Sequence, residues 1–551
     1  MCKTRMVKWS RAGLVACSLI LLPIQGLAQD MQFGLEETGA APAGPPPEGP
    51  PSEALVNALR LYEDERYPEA AVQLQRVVEG ETADAGGNVQ KAQFYLGKSL
   101  YHLHYYQSAL AVFDEISEVG RAHLFFTQTL QWLAQLASQL PEPAGLVDKI
   151  GRFGVTQLDQ INLSESEDLY NQLIYMMGRA KYKQGEYDDA VNLFRRVAAS
   201  SRWYVKARFF EGVAHIGAHR AQPAAQAFLG ILDGLERGRL ATEDSERMRD
   251  LAWISLARVY YTLANSGSTA DEMRGKYLGN AVHAWNMIDP ESEYWLDALF
   301  EASWAFFRAD EYSRALGNIH TLFSPYFRDA FYPEAMVLKA VVFFTNCQMT
   351  NATAVVQQFH ERYDPVQAKL DEILGRYRDN NEFYGFLKEL RDGRGAVPEE
   401  VRGIISSALS DRAVLSNLEY VEMLEAEEAQ LNQAPAAFRN SSLGARILQD
   451  ILLARSYAID QAGDTAKSRY QALIEEMQDL ANQIDTVEIE VLNYERGQLN
   501  AALQGQLTMG ADLRGGDVRV SPEHNVWPFD GEYWRDELGY YRQQVTYRCG
   551  R

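Results

Sequence analysis

The sequence predicts an all-α protein, in which a solenoid of helical hairpins precedes a long antiparallel helical hairpin or coiled coil. From Ser52 onward, apolar residues recur at helical spacing over about 450 residues, without the alternation typical of strands. Within this region a two-helix pattern returns at an offset of 34 residues. Nearer the C-terminus, apolar residues step by three and four in alternation, which is the heptad spacing of coiled coils.

The clearest copy of the two-helix pattern is the segment 175–197. Small Gly178 and Ala190 stand twelve residues apart, and small residues let two helix backbones approach closely. The polar stretch 183–187 supplies the break between the helices, and Phe194 follows Ala190 at helical spacing. This segment therefore predicts two antiparallel helices that each bury one apolar stripe.

The segment resembles the tetratricopeptide repeat (TPR), whose pattern of small, aromatic and apolar positions is filled by Gly178, Tyr182, Ala190, Phe194 and Val197. Further copies, the first of them degenerate, are marked by Ala58 and Ala70, Gly97 and Ala109, Gly212 and Ala224, Ala257 and Ala281, Phe306 and Ala315, and Ala340 and Ala352. An irregular helical pair at 125–158 fills one gap. The resemblance covers roughly residues 52–365 and implies a partner-binding solenoid without an active site.

The resemblance also implies a concave groove lined by fixed positions of the first helices. These positions select a candidate partner-binding set consisting of Lys91, Phe94, Lys98, Tyr101 and His102 in one copy, and Tyr175, Arg179, Tyr182 and Lys183 in another. Basic groups interleaved with aromatic rings would suit an extended acidic peptide or a C-terminal carboxylate. The asparagines of the carboxylate-binding TPRs are missing here, and a merely solvated inner face is the alternative.

The first residues of the chain predict export. Residues 1–28 read as a signal peptide, because basic residues precede the apolar run 14–24 and small residues precede Gln29. We expect a periplasmic or secreted protein; lipidation at Cys17, which would make it an outer-membrane lipoprotein, is the alternative. The remaining boundaries are a Pro-rich disordered spacer at 29–52, the TPR solenoid at 53–365, the long-helix region at 366–509 and an aromatic-rich tail at 510–551.

The net charge of −22 counts against a nucleic-acid or anionic-membrane binder, because both partners would be repelled. We expect other envelope proteins as partners, and a membrane only if Cys17 is lipidated.

No nucleophile, base and oxyanion set is recognisable, and the His215 and His219 pair lacks a third ligand. The sequence therefore predicts a protein that is not an enzyme and has neither cofactor nor metal. An envelope-polymer (glycan-processing) enzyme or accessory factor is the alternative.

The C-terminal third carries two further predictions. A helix starting at 398–400 and one beginning after Asn440 should pair as an antiparallel hairpin; the competing interpretation is an intermolecular coiled coil. The heptad residues are Tyr470, Leu473, Met477, Leu480, Ile484, Val487, Val491 and Tyr494.

The aromatic tail should pack back on this hairpin, or dock a partner. Its segment 527–538, with export and degenerate TPRs, looks like the envelope TPR proteins of the myxobacterial adventurous gliding machinery.

Two cysteines, Cys347 and Cys549, lie beyond the signal peptide. A disulfide between them is permitted in an oxidising compartment. The sequence nevertheless favours a buried free Cys347 and an exposed Cys549.

Overall fold

The computed structural model describes residues 46, 49–160, 167–240, 242, 244–328, 330–395, 397, 412–504 and 523–549. All of them belong to one unit, Pro45–Arg551. Their regular secondary structure is helical, and these described ranges contain no β-strand. The all-α class predicted from apolar periodicity is confirmed. The predicted signal peptide and most of the predicted spacer lie outside the described residues.

Helical pairs follow one another along the chain as the sequence predicts. In order, they are α1 (Glu53–Glu63) with α2 (Tyr67–Val78), α3 (Gly86–His102) with α4 (Tyr106–Val119), an irregular group of α5 (Phe126–Leu136), α6 (Leu146–Ile150) and α7 (Val155–Gln160), α8 (Glu167–Lys183) with α9 (Tyr187–Arg196), α10 (Tyr204–Gly217) with α11 (Ala221–Glu236), α12 (Ser245–Asn265) with α13 (Asp271–Asn286), α14 (Trp295–Arg308) with α15 (Tyr312–Leu322), and α16 (Pro333–Thr345) with α17 (Met349–Arg376). This order confirms the predicted helical-hairpin solenoid.

One turn conformation recurs inside these pairs. Between α8 and α9, Gly185 has a φ of 77°, and the Glu186 N–H donates to the Lys181 carbonyl. Non-glycine residues hold the same left-handed conformation in five further turns: Glu65, His104, His219, Asp310 and Cys347. Hydrogen bonds of this kind close the C-terminus of a helix and start a new direction. Six of the seven regular pairs therefore turn in the same way, whereas the longer turn between α12 and α13 has no left-handed residue.

The small positions of the repeat pattern are the places where an aromatic ring crosses from the second helix. A methyl group at Gly178 would lie 2.6 Å from the ring of Phe194, and one at Gly212 would lie 2.6 Å from the ring of Phe228. Both rings are fully buried. The close approach of the two helices therefore depends on a missing side chain on one helix and a large one on the other.

The first helices form the inner layer of the stack. Neighbouring first helices contact one another at α1–α3, α3–α5, α8–α10, α10–α12 and α14–α16. In a curved stack, helices on the concave side are the ones that come closest together. This arrangement is compatible with a TPR protein, and it gives the chain an inner face built from first helices.

The predicted helical hairpin follows the solenoid. Its helices are α18 (Asn380–Arg391), α19 (Arg412–Gln433), the short α20 (Ala436–Arg439) and the 62-residue α21 (Ser442–Leu503). At the start of α21 the Ser441 hydroxyl accepts a hydrogen bond from the Gly444 N–H at 3.1 Å, as expected of an N-cap. α19 packs along the first part of α21. The predicted helix start at 398–400 lies outside the described residues.

α21 joins the two ends of the solenoid, and we call it the bridging helix. Near its start Arg446 pairs with Glu115 of α4 at 2.7 Å, and further along Asp485 lies 3.0 Å from His360 of α17. The heptad residues Tyr470, Met477, Leu480, Ile484, Val487 and Val491 are buried. They lie where α21 packs on α16, α17 and α18 of the same chain. An intermolecular coiled coil through this set is therefore wrong.

The described tail, 523–549, lies on the last repeats, and the prediction that it packs on the hairpin is wrong. The Gly539 N–H donates to the Thr321 hydroxyl at 3.0 Å, and the Gln543 N–H donates to the Ser313 carbonyl at 3.1 Å. A disulfide joins Cys549 to Cys347. The prediction of two free thiols is wrong as well. The end of the tail packs on the turn that carries Cys347, where the Arg548 N–H donates to the Asn346 carbonyl.

One buried carboxyl at the hairpin interface should make folding depend on pH. Glu427 of α19 accepts a hydrogen bond from the Gln107 N–H at 3.2 Å, and burial raises the pKa of Glu427 to about 8. The folded state therefore holds a proton that the unfolded chain releases near pH 4.5. Stability from this group is complete below about pH 4.5, and it is lost as the pH rises to about 8.

We expect Glu427→Gln to flatten the fall in stability between about pH 5 and pH 9, because the variant has no proton to lose. Urea unfolding followed by circular dichroism at several pH values measures this. Glu419→Gln is the matched control on the same helix, since Glu419 is exposed. Equal pH profiles for the wild type and Glu427→Gln would contradict the assignment.

Candidate partner-binding face

The nine predicted partner-binding residues lie on α3 and α8, two first helices of the inner layer. Helix α5 stands between them and contacts both. Its carbonyl at Ala134 accepts a hydrogen bond from the buried Gln172 amide of α8 at 3.1 Å. The two predicted sets therefore belong to one continuous face that runs from α1 through α10.

Aromatic rings surround the ammonium group of Lys98. Its Nζ lies 4.5 Å from the ring centroid of Tyr95, 4.7 Å from that of Tyr62 and 5.4 Å from that of Trp132. Electron-rich ring faces attract a cation, whereas burial lowers the pKa of Lys98. Within the described residues, no carboxylate forms an ion pair with Lys98. We call Lys98 and these three rings the Lys98 cluster.

Tyr101 and His102 extend this cluster toward solvent. The His102 ring stacks on Tyr67 with centroids 4.5 Å apart, and its Nε2 lies 3.4 Å from the Tyr62 hydroxyl. Tyr101 meets Trp132 edge to face at 5.3 Å. Partial desolvation by the neighbouring rings, and then the charge of Lys98, lower the pKa of His102. At neutral pH its ring is therefore an uncharged polar surface beside a positive charge.

Two predicted residues lie beneath the face. Phe94 and Tyr175 are each only 6% exposed. Phe94 stacks on Phe125 at 4.8 Å, and Tyr175 stacks on Trp203 at 5.4 Å. Both rings therefore support the inner layer and offer a partner almost no surface. Lys91 is partly exposed on α3.

The two cations on α8 already have acidic neighbours in the chain. Arg179 pairs with Glu142, and Lys183 lies 3.1 Å from Asp148. Both acids belong to the irregular group that precedes α8. Pairs with a solvent-exposed partner of this kind contribute little to stability, but a partner carboxylate would have to displace them. Tyr182 is partly exposed beside them. Lys98 is consequently the better-placed cation for a partner.

The repeat pattern missed the rings that complete the Lys98 cluster. Trp132 lies on α5, in the irregular group, where the 34-residue offset does not apply. A usable signal existed for Tyr62: it follows Ala58 by four residues, as Tyr101 follows Gly97. Extending the groove positions to the degenerate first copy would have selected it.

The described residues show no other site of obvious chemistry. α10 ends at Gly217, so His219 lies in the following turn rather than on the helix face of His215. Within the described ranges, no group of three or more His, Cys, Asp or Glu side chains is arranged to hold a metal ion. None of the helices in these ranges combines the length and the apolar character that a membrane span requires.

Comparisons with known proteins add little to this picture. No family model and no curated protein matches the chain. Among solved structures, the crystal structure of the apo form of RapI is similar at 13% sequence identity, over 69% of this chain and 98% of that one, with a TM-score of 0.32. A TM-score this low carries no argument. The description of the chain as an all-α solenoid of helical hairpins therefore rests on its own helices.

Proposed function

We propose that this chain is an exported, non-enzymatic TPR scaffold that assembles proteins of the cell envelope, and in its most specific form serves a gliding-motility or surface-transport complex. The Lys98 cluster is the observation that carries the binding part of the proposal. It places a cation without an ion-pair partner among aromatic rings on the inner layer of the solenoid. Tyrosine and tryptophan side chains are the types that contribute most at protein interfaces.

The partner class follows from the chemistry of this face. A carboxylate that reaches Lys98 would form a charge-assisted hydrogen bond in partly desolvated surroundings. The ring of Tyr67 stacks on His102 and that of Tyr101 meets Trp132, so both offer apolar surface beside the Lys98 cluster. An extended acidic segment of another protein fits both features. The wider chain is acidic, so a partner of this kind would be repelled elsewhere and directed to this face.

Two features support export. The first 28 residues have the charge and apolar pattern of a signal peptide. Cys347 and Cys549 form a disulfide, and disulfides persist in oxidising compartments outside the cytoplasm. The tail segment 527–538, which looks like that of the gliding-machinery proteins, supports the most specific form of the proposal.

Affinity capture from an envelope extract tests this proposal. Lys98→Met removes the charge and keeps an apolar stem, so we expect roughly 10-fold or greater loss of an envelope partner, the size of one charge-assisted contact. Lys276→Met is the matched control, because Lys276 is exposed on the second helix α13. N-terminal sequencing of the recovered protein should begin at Gln29.

Three results would contradict the proposal. Recovery of only soluble metabolic enzymes would remove the scaffold role. Equal recovery by Lys98→Met and Lys276→Met would remove the Lys98 cluster as the binding surface. A lipid-blocked Cys17 would replace the secreted or periplasmic form with a membrane-anchored one.

A further inference from the structure

The described tail is held on the last repeats mainly through its main chain, and we call the surface beneath it the tail site. Hydrogen bonds join the two: Gly539 N–H to the Thr321 hydroxyl at 3.0 Å, Gln543 N–H to the Ser313 carbonyl at 3.1 Å, Arg548 N–H to the Asn346 carbonyl at 2.9 Å, and the Gln348 amide to the Thr546 carbonyl at 2.8 Å. Every sequence carries main-chain groups, so these bonds can hold a segment whatever its side chains are.

Helix α15 lacks a side chain at the point where the tail crosses it. A methyl group at Gly317 would lie 1.7 Å from the carbonyl oxygen of Tyr541, far inside any contact distance. Glycine destabilises a helix interior relative to alanine, so helix formation does not explain a glycine here. The close approach of a second backbone does explain it. The tail site is therefore shaped to take a linear segment directly against α15.

Side chains of the tail matter at only a few neighbouring positions. Leu538 is 8% exposed and is the one buried residue of the range 523–549. Gly539 has a φ of 84°, and a methyl group there would lie 2.9 Å from the ring of Trp295. The ring of Tyr541 meets the histidine of α15 edge to face at 5.1 Å, whereas Tyr540 is 69% exposed. The tail site therefore selects leucine, glycine, any residue and tyrosine in that order.

We propose that the tail site binds a linear segment of a partner protein that carries this Leu-Gly-x-Tyr pattern, and that the chain's own tail fills the site until the disulfide opens. The bond between Cys347 and Cys549 keeps the tail at the site, because it joins two positions that are 202 residues apart. Both cysteines are partly exposed, so a reductant can reach them. The tail site is a different surface from the Lys98 cluster, so the inference goes beyond the proposed function and does not depend on it.

A dithiol opens this bond by exchange. One thiolate of the reductant attacks a sulfur of the disulfide, and its second thiol then displaces the cysteine from the mixed disulfide. Two electrons and two protons pass to Cys347 and Cys549, and the dithiol becomes a disulfide. The freed tail can leave, because apart from Leu538 its described residues are partly or fully exposed.

Fluorescence anisotropy of a labelled synthetic peptide tests the site. The peptide copies residues 536–549 with Cys549→Ser. The receptor is the full chain carrying Leu538→Asp and Cys549→Ser, which disable its own tail. We expect this receptor to bind the peptide about 10-fold or more tightly than the oxidised wild type, whose site is filled. Dithiothreitol should raise peptide binding by the wild type and leave the receptor unchanged.

Three single changes test how the segment is recognised. Gly539→Val in the peptide should weaken binding about 10-fold or more, because the added side chain meets the ring of Trp295. Tyr540→Ala in the peptide is the matched control and should change nothing, since Tyr540 is exposed. Gly317→Ala in the receptor should also weaken binding, while circular dichroism shows its helix content unchanged.

Equal peptide binding by the oxidised wild type and the receptor would overturn the inference. So would a receptor that is helical by circular dichroism and binds no peptide, or binding that survives both Gly539→Val and Gly317→Ala. Disulfide-linked dimers on reoxidation of the reduced wild type would overturn the choice of partner, because they would assign the site to the tail of a second copy.

Discussion

Phe194→Ala is expected to destabilise the α8–α9 pair by about 3–5 kcal/mol, the usual cost of deleting a buried aromatic side chain. Phe194 is fully buried, and its ring fills the space that Gly178 leaves open. Alanine would leave a cavity between the two helices. Each pair of a solenoid depends on its neighbours, so the loss should also weaken α10 and α5. Urea unfolding followed by circular dichroism measures the change.

Two variants serve as controls: one removes an exposed side chain, and the other adds bulk to the buried contact. Leu229→Ala removes a side chain that is 43% exposed on α11, and we expect less than about 0.5 kcal/mol. Ala190→Trp adds bulk to the fully buried small position, so it should disrupt the same pair by overpacking. If Phe194→Ala cost no more than the Leu229 variant, the contact between small residue and ring would not be what holds the pair together.

Arg258→Met is expected to cost about 3–5 kcal/mol, because it removes one partner of a buried ion pair. The Glu301 carboxylate accepts hydrogen bonds from Arg258 Nη2 at 2.6 Å and from the Trp285 indole N–H at 3.0 Å. Glu301 is only 5% exposed, and burial raises its pKa while Arg258 opposes the shift. Without the guanidinium, α14 would hold a buried carboxyl group with too few partners.

The double variant Arg258→Met with Glu301→Leu separates loss of the pair from loss of packing. Replacing both charged groups by apolar ones is often neutral, but this variant also leaves the Trp285 indole N–H without its acceptor, so part of the stability should return. Arg314→Met is the matched control, since Arg314 and Glu311 are both far more exposed than Arg258 and Glu301 and such pairs contribute little. A single variant as stable as the wild type, or a double variant as unstable as the single one, would contradict the expectation.

The parts of the fold that follow from local chemistry could be predicted from the sequence. The turn at 183–187 and the spacing of Gly178 from Ala190 act within one helical pair, so they recur as a pattern in the sequence. The contact of Glu427 with Gln107 has no such pattern, because the two residues are 320 positions apart and neither belongs to a repeat. The bond between Cys347 and Cys549 is hidden for the same reason.

The candidate face was only partly predictable, because a repeat position fixes where a side chain points but not what covers it. Phe94 and Lys98 are one helical turn apart on α3. Phe125 covers Phe94, whereas Lys98 is left without an acidic partner among the described residues. Whether a side chain of α3 is covered depends on α5 and the residue before it. The irregular spacing of this segment gives no repeat signal in the sequence. Exposure and charge pairing therefore had to come from the structure.

The bridging helix also determines when the protein can finish folding. Helix α4 packs against Arg446, which follows Glu115 by 331 residues, so this contact requires nearly the whole chain. An open repeat array can fold pair by pair from local contacts, and contacts of high sequence separation slow such folding. The first pairs emerge from synthesis long before α21 does. Until then they expose the apolar surface that α21 later covers, so the early chain is the stage most prone to aggregation and most in need of a chaperone.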